Sequence, residues 1–363
     1  MAYAVIYALF HDLQPMAKRA SFVPLFDLID CQVFTYHAYW MGWERRSWRL
    51  GTRLRGWGIR HYGSYWNWFM PFAHERLLSW QARAAGRGDV VHFMMAEFGS
   101  PRHPGWFNRK GAKLVGTFHC SARRLPSVIL PGYRSLLAFD RISVMSKTQI
   151  PFFLERGYPG DRIDVTLHGV DTTYFSPAAR PPGDQGPLVL FLVGSTERDH
   201  EFAARVMKRV DPSVARLDVL TSAQYQGLYE GLRHVRCLPK ISDEEMIVHY
   251  QQSDLLFIPM LDCTANNAVL ESMACGTPVM SNRVGGMAEY VEAGSNFLFD
   301  EKDPDAWAHQ LTLLHRDREI LSALRPRVRA WAETLDWRAV RSQYLDFYRA
   351  AVCEDGRPKI NDQ

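Results

Sequence analysis

The sequence has no run of about 18 apolar residues anywhere in its 363, so no membrane-crossing helix is expected. Cysteine is scarce. The six, Cys31, Cys120, Cys237, Cys263, Cys275 and Cys353, form no Cys-x-x-Cys pair and no zinc-like spacing with histidine. This excludes a disulfide scaffold and leaves buried free thiols in a reducing compartment as the plain expectation. The opening "MAYAVIYALFHD" lacks a basic leader and a cleavage site, and reads as a first strand rather than a signal peptide. Internal repeats and low-complexity tracts are missing. No cluster of Asp and Glu and no paired histidines suggest a metal site.

What is present is an ample core. Apolar residues make up 47% of a chain too long for one ordinary core, so two domains are expected. Short apolar runs alternate with helix-like segments. In the first half they are "YAVIYAL", "DVVHFMMAEF", "KLVGTFH", "RISVMS" and "DVTLHG"; in the second, "LVLFLVG", "RLDVLTS", "VRCLP", "DLLFIP", "PVMSN" and "NFLF". Continuous apolar strands between helices imply an α/β fold with parallel sheets covered on both faces. The stretch 176–187, "SPAARPPGDQGP", breaks the rhythm and reads as a linker. The expected division is a domain over 1–175, a linker over 176–187, a second domain over 188–335, and a closing helix over 336–353. On that helix Trp337, Val340, Tyr344 and Phe347 share one stripe.

Charge is divided unequally. Residues 1–175 hold 22 Lys and Arg against 12 Asp and Glu, a surplus of +10, whereas the remainder carries −6 within a net +4. A basic first half implies an anionic partner.

Local punctuation is clear around "DCTANNAVLESMACGTPVMSNRVGG". Ser242 with Glu245 forms a capping-box pattern for "DEEMIVHYQQ". Asn267 is a good N-cap for "AVLESMAC", Gly276 fits just past its end, and Pro278 prevents its continuation. A helix that begins at the carboxyl end of a parallel strand presents free N–H groups and a favourable dipole to an anion. Thr264, Asn266 and Asn267 add donors there, and Glu271 follows one turn later. A plain turn, a cap and a surface glutamate fit the same residues.

The run "NNAVLESMACGTPVMSNRVGGMAEYV" resembles the donor-binding motif of glycosyltransferase family four, the retaining group of the GT-B fold. That pattern has a Glu, seven residues, a second Glu, then "AMACGTPVV", and later "VGG" before "E-x-V". The segment "SVMSKTQIPFFLERGYPGDRIDVTLHGVDTTYFSP" is similar to the end of the family's first domain, and "LDWRAVRSQYLDFY" to its closing helix. The resemblance spans roughly Asp89 to Tyr348 and implies two Rossmann-like domains facing across a cleft. By position it implies that Glu271 binds ribose and that Arg198 meets the diphosphate, with Gly194 and Ser195 in the same loop. It sets His119 beside the donor sugar near the reacting carbon, and Lys240 near the base.

This sequence departs from the family pattern in three places. The first Glu aligns with Cys263, with Asp262 beside it as a substitute. The basic pair after "VG" is absent, and "VGSTERDH" offers Arg198 and His200. The glycine-rich loop after the first strand is missing.

The resemblance implies a hexosyltransferase that moves a sugar from a nucleotide-sugar, first of all a UDP-sugar, with retention and with neither metal nor cofactor. Asp262, Thr264, Asn266, Asn267 and Glu271 would bind the donor, and His119 and Arg198 would serve catalysis. A nucleotide-sugar epimerase or hydrolase on the same fold, or a donor-binding subunit without turnover, are the alternatives. The stretch 39–69 holds six arginines and one acidic residue. Trp43 and Trp57 fall on one helical stripe, and Arg45, Arg49 and Arg53 on another. A basic amphipathic segment with tryptophan suits an anionic membrane surface and a lipid-linked or surface-glycan acceptor, hence a cytoplasmic enzyme peripheral to the membrane. A core helix with solvated arginines is the alternative. Nucleic acid is not expected, because no binding motif accompanies the charge.

Overall fold

A computed structural model describes residues 6–11, 23–29, 31–36, 76, 79–80, 82–99, 103–108, 110–129, 134–179 and 186–353. By contacts the chain divides into two compact units, Met1–Leu167 with Val340–Gln363, and His168–Ala339.

The first unit is built on six parallel strands: β1 Ile6–His11, β2 Cys31–Tyr36, β3 Val90–Phe93, β4 Lys113–Phe118, β5 Arg141–Val144 and β6 Ile163–Val165. Their order is β2-β1-β3-β4-β5-β6. The second has β7 Leu188–Val193, β8 Ala215–Leu220, β9 Val235–Cys237, β10 Leu255–Phe257, β11 Val279–Asn282 and β12 Phe297–Phe299, ordered β12-β11-β10-β7-β8-β9 and again parallel. That is the doubly wound Rossmann arrangement, in which the order reverses between the first and fourth strands.

The continuous apolar runs explain the burial. Every residue of "LVLFLV" in β7 except Val189 is buried, as parallel strands covered on both faces require. In the first unit Phe93, Phe107, Phe118, Phe139 and Phe153 pack mostly edge to face. In the second, Trp307 from the Pro304–Arg316 helix is fully buried among Phe202, Phe257 and Phe299, with ring centroids 5.0, 5.6 and 4.8 Å away.

Among the described residues, eleven of the twelve strands coincide with quoted apolar runs; β2, "CQVFTY", does not. The contact division falls at Leu167/His168, ahead of the proline-rich stretch, of which residues 180–185 lie outside the described set. Residues 168–175 are bonded into the second unit. His168 N donates to Tyr290 Oη (3.0 Å), Val170 N to Leu335 O (3.0 Å), and Thr172 Oγ1 to Asp336 Oδ2 (2.5 Å). Arg329 donates to the carbonyls of both Thr172 and Phe175. The final helix, Trp337–Cys353, buries the predicted stripe of Trp337, Val340, Tyr344 and Phe347. From Val340 onward it belongs to the first unit, where Tyr348 Oη lies 2.8 Å from His92 Nδ1. No described helix is long and apolar enough to cross a membrane.

Candidate functional site

In the second unit the strand order reverses between β7 and β10, the position beyond whose strand carboxyl ends open α/β sheets bind their ligands. The β7 loop runs Gly194, Ser195, Thr196, Glu197, Arg198. It is laced to the β10 loop by Asp199 N to Pro259 O (2.9 Å) and Leu261 N to Glu197 O (2.8 Å). Glu197, at φ 60°, is the one non-glycine residue with positive φ among the described residues, and this turn folds Arg198 back over Gly194. Gly194 has φ 98°, and a Cβ there would lie 2.9 Å from Arg198 Nε. Glycine is therefore required twice over, for its conformation and for the space.

Arg198 donates from Nε to Val193 O (3.1 Å), from Nη1 to Thr196 O (2.8 Å), and from Nη2 to Asn266 Oδ1 (3.1 Å). All three acceptors are uncharged carbonyl oxygens, and no carboxylate among the described residues lies within ion-pair distance of it. One N–H on each terminal nitrogen is left over, the fork that a phosphate takes in bidentate fashion. Burial lowers the guanidinium's pKa, opposed by nearby Tyr250, Cys263 and Glu271; it remains charged at any physiological pH.

Asn266 caps the Asn267–Ala274 helix, its Oδ1 accepting from Ala268 N (3.1 Å). The cap is thus one residue earlier than the sequence suggests. The same oxygen takes Arg198, which ties the cation to the helix N-terminus. Gly276 ends the helix at φ 75°, as expected. Asn267 is the first helical residue and half-buried, and Thr264 is buried just before it.

Asp262 and Cys263 are both buried. Asp262 Oδ1 accepts from Cys263 N (2.8 Å), and Cys263 Sγ lies 3.3 Å from Val284 O. Burial and neighbouring Asp262 push the Cys263 thiol up to about 12, so it stays neutral. Gly286 N bonds Cys263 O (2.8 Å), and a side chain at Gly285 would collide with Cys263 O and the Asp262 carboxylate. The paired glycines after β11 thus let the two loops close together.

His200 is buried and belongs to the scaffold. Its Nε2 donates to Gly194 O (3.0 Å), which sets the tautomer, so Nδ1 accepts from Tyr229 Oη (2.8 Å). Burial lowers its pKa. Ser195 Oγ bonds Thr221 Oγ1 and Ser222 Oγ, each at 3.0 Å, between the ends of β7 and β8. Glu271 is 2% exposed, and its Oε2 accepts from Tyr250 Oη (2.7 Å). Lys240 is exposed in the loop after β9, at the sheet edge. Gly194, Arg198 and Asn266 are therefore in direct contact, whereas Lys240 and Glu271 stand apart from that contact.

His119 lies in the first unit, at the exit of β4. Its N–H and that of Cys120 both donate to Glu97 Oε1 at 2.8 Å. Gln149 donates to the flanking carbonyls of Phe118 (3.0 Å) and Cys120 (2.9 Å). Neither partner was expected from sequence. Gln149 was nevertheless readable, because Ser146 and Gln149 form a capping box. Trp43, Arg45, Arg49, Arg53 and Trp57 lie outside the described residues.

Comparison with known proteins bears on the fold and on the second unit. Residues 187–317 match the family model "Glycosyl transferases group 1". The D-inositol 3-phosphate glycosyltransferase of Salinispora arenicola is 27% identical over 326 residues, covering 76% of this chain and 71% of the relative. That of Corynebacterium urealyticum is 31% identical over 170 residues, 46% of this chain and 40% of the relative. Among solved structures, Anabaena HepE in complex with UDP and glucose superposes with a TM-score of 0.69 at 13% identity, covering 95% of this chain and 99% of the other. Sucrose-phosphate synthase from Thermosynechococcus elongatus gives 0.68 at 16% identity, covering 97% and 100%. The second unit thus contains a region that matches the group 1 glycosyltransferase family, and the fold of the chain is that of GT-B glycosyltransferases.

Proposed function

We propose that this enzyme transfers a hexosyl group from a UDP-sugar to an acceptor, with retention at the anomeric carbon and without a metal, in the manner of family four. One observation carries the reading. At the reversal point of the second sheet, Arg198 is a half-buried cation held, among the described residues, only by carbonyl oxygens, with one N–H to spare on each terminal nitrogen. A diphosphate supplies the missing anion, and the N–H groups of Asn267 and its neighbours add to the field. As the glycosidic bond breaks, charge grows on that leaving group, so Arg198 and the helix N-terminus stabilise the transition state more than the ground state. His200 is engaged in the scaffold, so on this reading Arg198 is the cation of the clamp, and Gly194, Ser195 and Thr264 line it.

Glu271, oriented by Tyr250, is assigned to the ribose, Asp262, Asn266 and Asn267 to the donor, Lys240 to the base, and His119 to the sugar near its reacting carbon. The choice of UDP is supported by structural neighbours solved with UDP-glucose and with UDP. The surplus of +10 over residues 1–175 favours an acceptor that carries negative charge. A lipid-linked or surface-glycan precursor at an anionic membrane surface fits that description, with Trp43, Arg45, Arg49, Arg53 and Trp57 as the docking residues.

The test is incubation of the purified chain with UDP-, GDP- and ADP-sugars and candidate acceptors. A glycosylated acceptor with the donor's anomeric configuration is the expected product. An isomerised donor would make the chain an epimerase. Binding without conversion would make it a donor-binding subunit, the alternative raised by Cys263 at the position of the first Glu of the motif.

A further inference from the structure

Glu97 is a buried carboxylate that the reading above leaves unused. It sits on the short turn Ala96–Gly99 after β3, with its side chain sealed from solvent. Its reach depends on Gly116 of β4. A Cβ there would lie 2.9 Å from Ala96 Cβ and 3.0 Å from the Phe139 ring, so only glycine lets the turn settle onto β4. Once there, Oε1 accepts from both His119 N and Cys120 N. The other oxygen, Oε2, takes no hydrogen bond from the described residues and faces His119 Nδ1 at 3.9 Å. Gln149, fully buried, closes the opposite side: its Oε1 accepts from Met145 N (2.8 Å) and Ser146 N (3.0 Å), and its amide holds the carbonyls on either side of His119. His119 is therefore clamped through its backbone by two side chains while a carboxylate oxygen looks at its ring.

We propose that Glu97 is the positioning residue of His119, fixing its backbone through one carboxylate oxygen and, through the other, setting the proton on Nδ1 so that Nε2 is the nitrogen presented to the sugar. This rests on the assignment of His119 to the sugar made above. Burial would raise the Glu97 pKa, but hydrogen bonding and charge from His119 outweigh it and hold the carboxyl below its ordinary value. The group is therefore ionised, and an ionised oxygen beside Nδ1 favours an N–H there.

The substitution Glu97→Gln tests this with little change of shape. The amide oxygen still accepts from the two backbone N–H groups. The amide nitrogen then replaces the oxygen that faces the ring, so an acceptor becomes a donor and the imidazole must answer with its Nε2–H tautomer. Long-range 1H–15N spectra of the full chain labelled at the histidine ring nitrogens, with His119 assigned from a His119→Asn variant, read the tautomer directly. The expected result is Nδ1–H in the wild type and Nε2–H in Glu97→Gln. It should be accompanied by at least about a tenfold fall in kcat for UDP release from UDP-glucose, with KM little changed and the melting temperature preserved. The same tautomer in both proteins, or equal kcat in an active pair, would overturn the proposal. Should Glu97→Gln fail to fold, Glu97→Asp keeps the charge and must keep Nδ1–H; an Nε2–H signal there overturns it equally. A tautomer switch in a wild type that releases no UDP from any donor would instead sink the assignment of function and leave the hold of Glu97 on His119 standing.

Discussion

Replacing Arg198 by alanine removes the guanidinium that the account places against the diphosphate, and the structure says how much else should change. Of its three acceptors, Asn266 Oδ1 keeps Ala268 N, and Thr196 O lies in an exposed stretch of loop where water replaces the lost donor. Only the bond to Val193 O is partly buried without an obvious substitute. The fold should therefore lose about 1 kcal/mol, the ordinary net value of one such bond. Catalysis should lose far more, because removing one donor from a preorganised anion site costs about 2.7–4 kcal/mol of transition-state stabilisation, roughly 100- to 1000-fold in kcat. The assay is steady-state release of UDP from UDP-glucose, run beside thermal melts of both proteins. The expected pattern is a collapse of kcat with KM within a few-fold of wild type. Arg198→Lys should recover part of the loss, since an ammonium keeps the charge but not the fork. A raised KM with unaltered kcat would refute the reasoning, because it would confine Arg198 to ground-state binding.

Three further outcomes follow from the same geometry. Gly194→Ala forces a side chain into positive φ and against Arg198 Nε, so it should destabilise by about 1–3 kcal/mol and weaken UDP binding in calorimetry. Glu271→Ala should weaken UDP binding by about 1.5–3 kcal/mol and also lower stability, because it removes the charged acceptor of the buried Tyr250 hydroxyl; adding Tyr250→Phe should recover part of the stability without restoring binding. His92, fully buried between Tyr348 and Thr117, has its pKa lowered to about 3 by burial and by His119, whereas the unfolded chain titrates near 6.5. The unfolded state therefore binds the extra proton first. The stability contribution is intact above pH 6.5 and falls by up to about 1.4 kcal/mol per unit as pH drops towards 3, and urea midpoints at pH 7 and 5 should show a smaller drop in His92→Gln.

The strands of both sheets were legible because parallel strands covered on two faces must be apolar throughout, and β7, "LVLFLV", is the plainest case. β2 escaped because "CQVFTY" mixes polar and apolar residues without a clean run. The helix over 267–274 and its glycine stop were readable from local chemistry, but the choice between Asn266 and Asn267 as the cap was not. Both are good caps, and the contact that Asn266 makes with Arg198 comes from a loop far away in sequence. At Glu271 nothing in the neighbouring sequence reveals the Tyr250 hydroxyl from which its buried carboxylate accepts. Glu97 was hidden for a similar reason: in "DVVHFMMAEF" it looks like the end of a strand, yet the chain turns after Phe93 and brings the carboxylate beneath β4. Residues whose meaning is set by the neighbouring sequence were visible, and residues whose meaning is set by another loop were not.

The most direct test of the central claim is a crystal structure of the full chain with UDP. The diphosphate should lie at the carboxyl end of β7, its oxygens within hydrogen-bond distance of both terminal nitrogens of Arg198 and of the first N–H groups of the Asn267–Ala274 helix. A diphosphate bound elsewhere, with Arg198 still held only by Val193, Thr196 and Asn266, would contradict it.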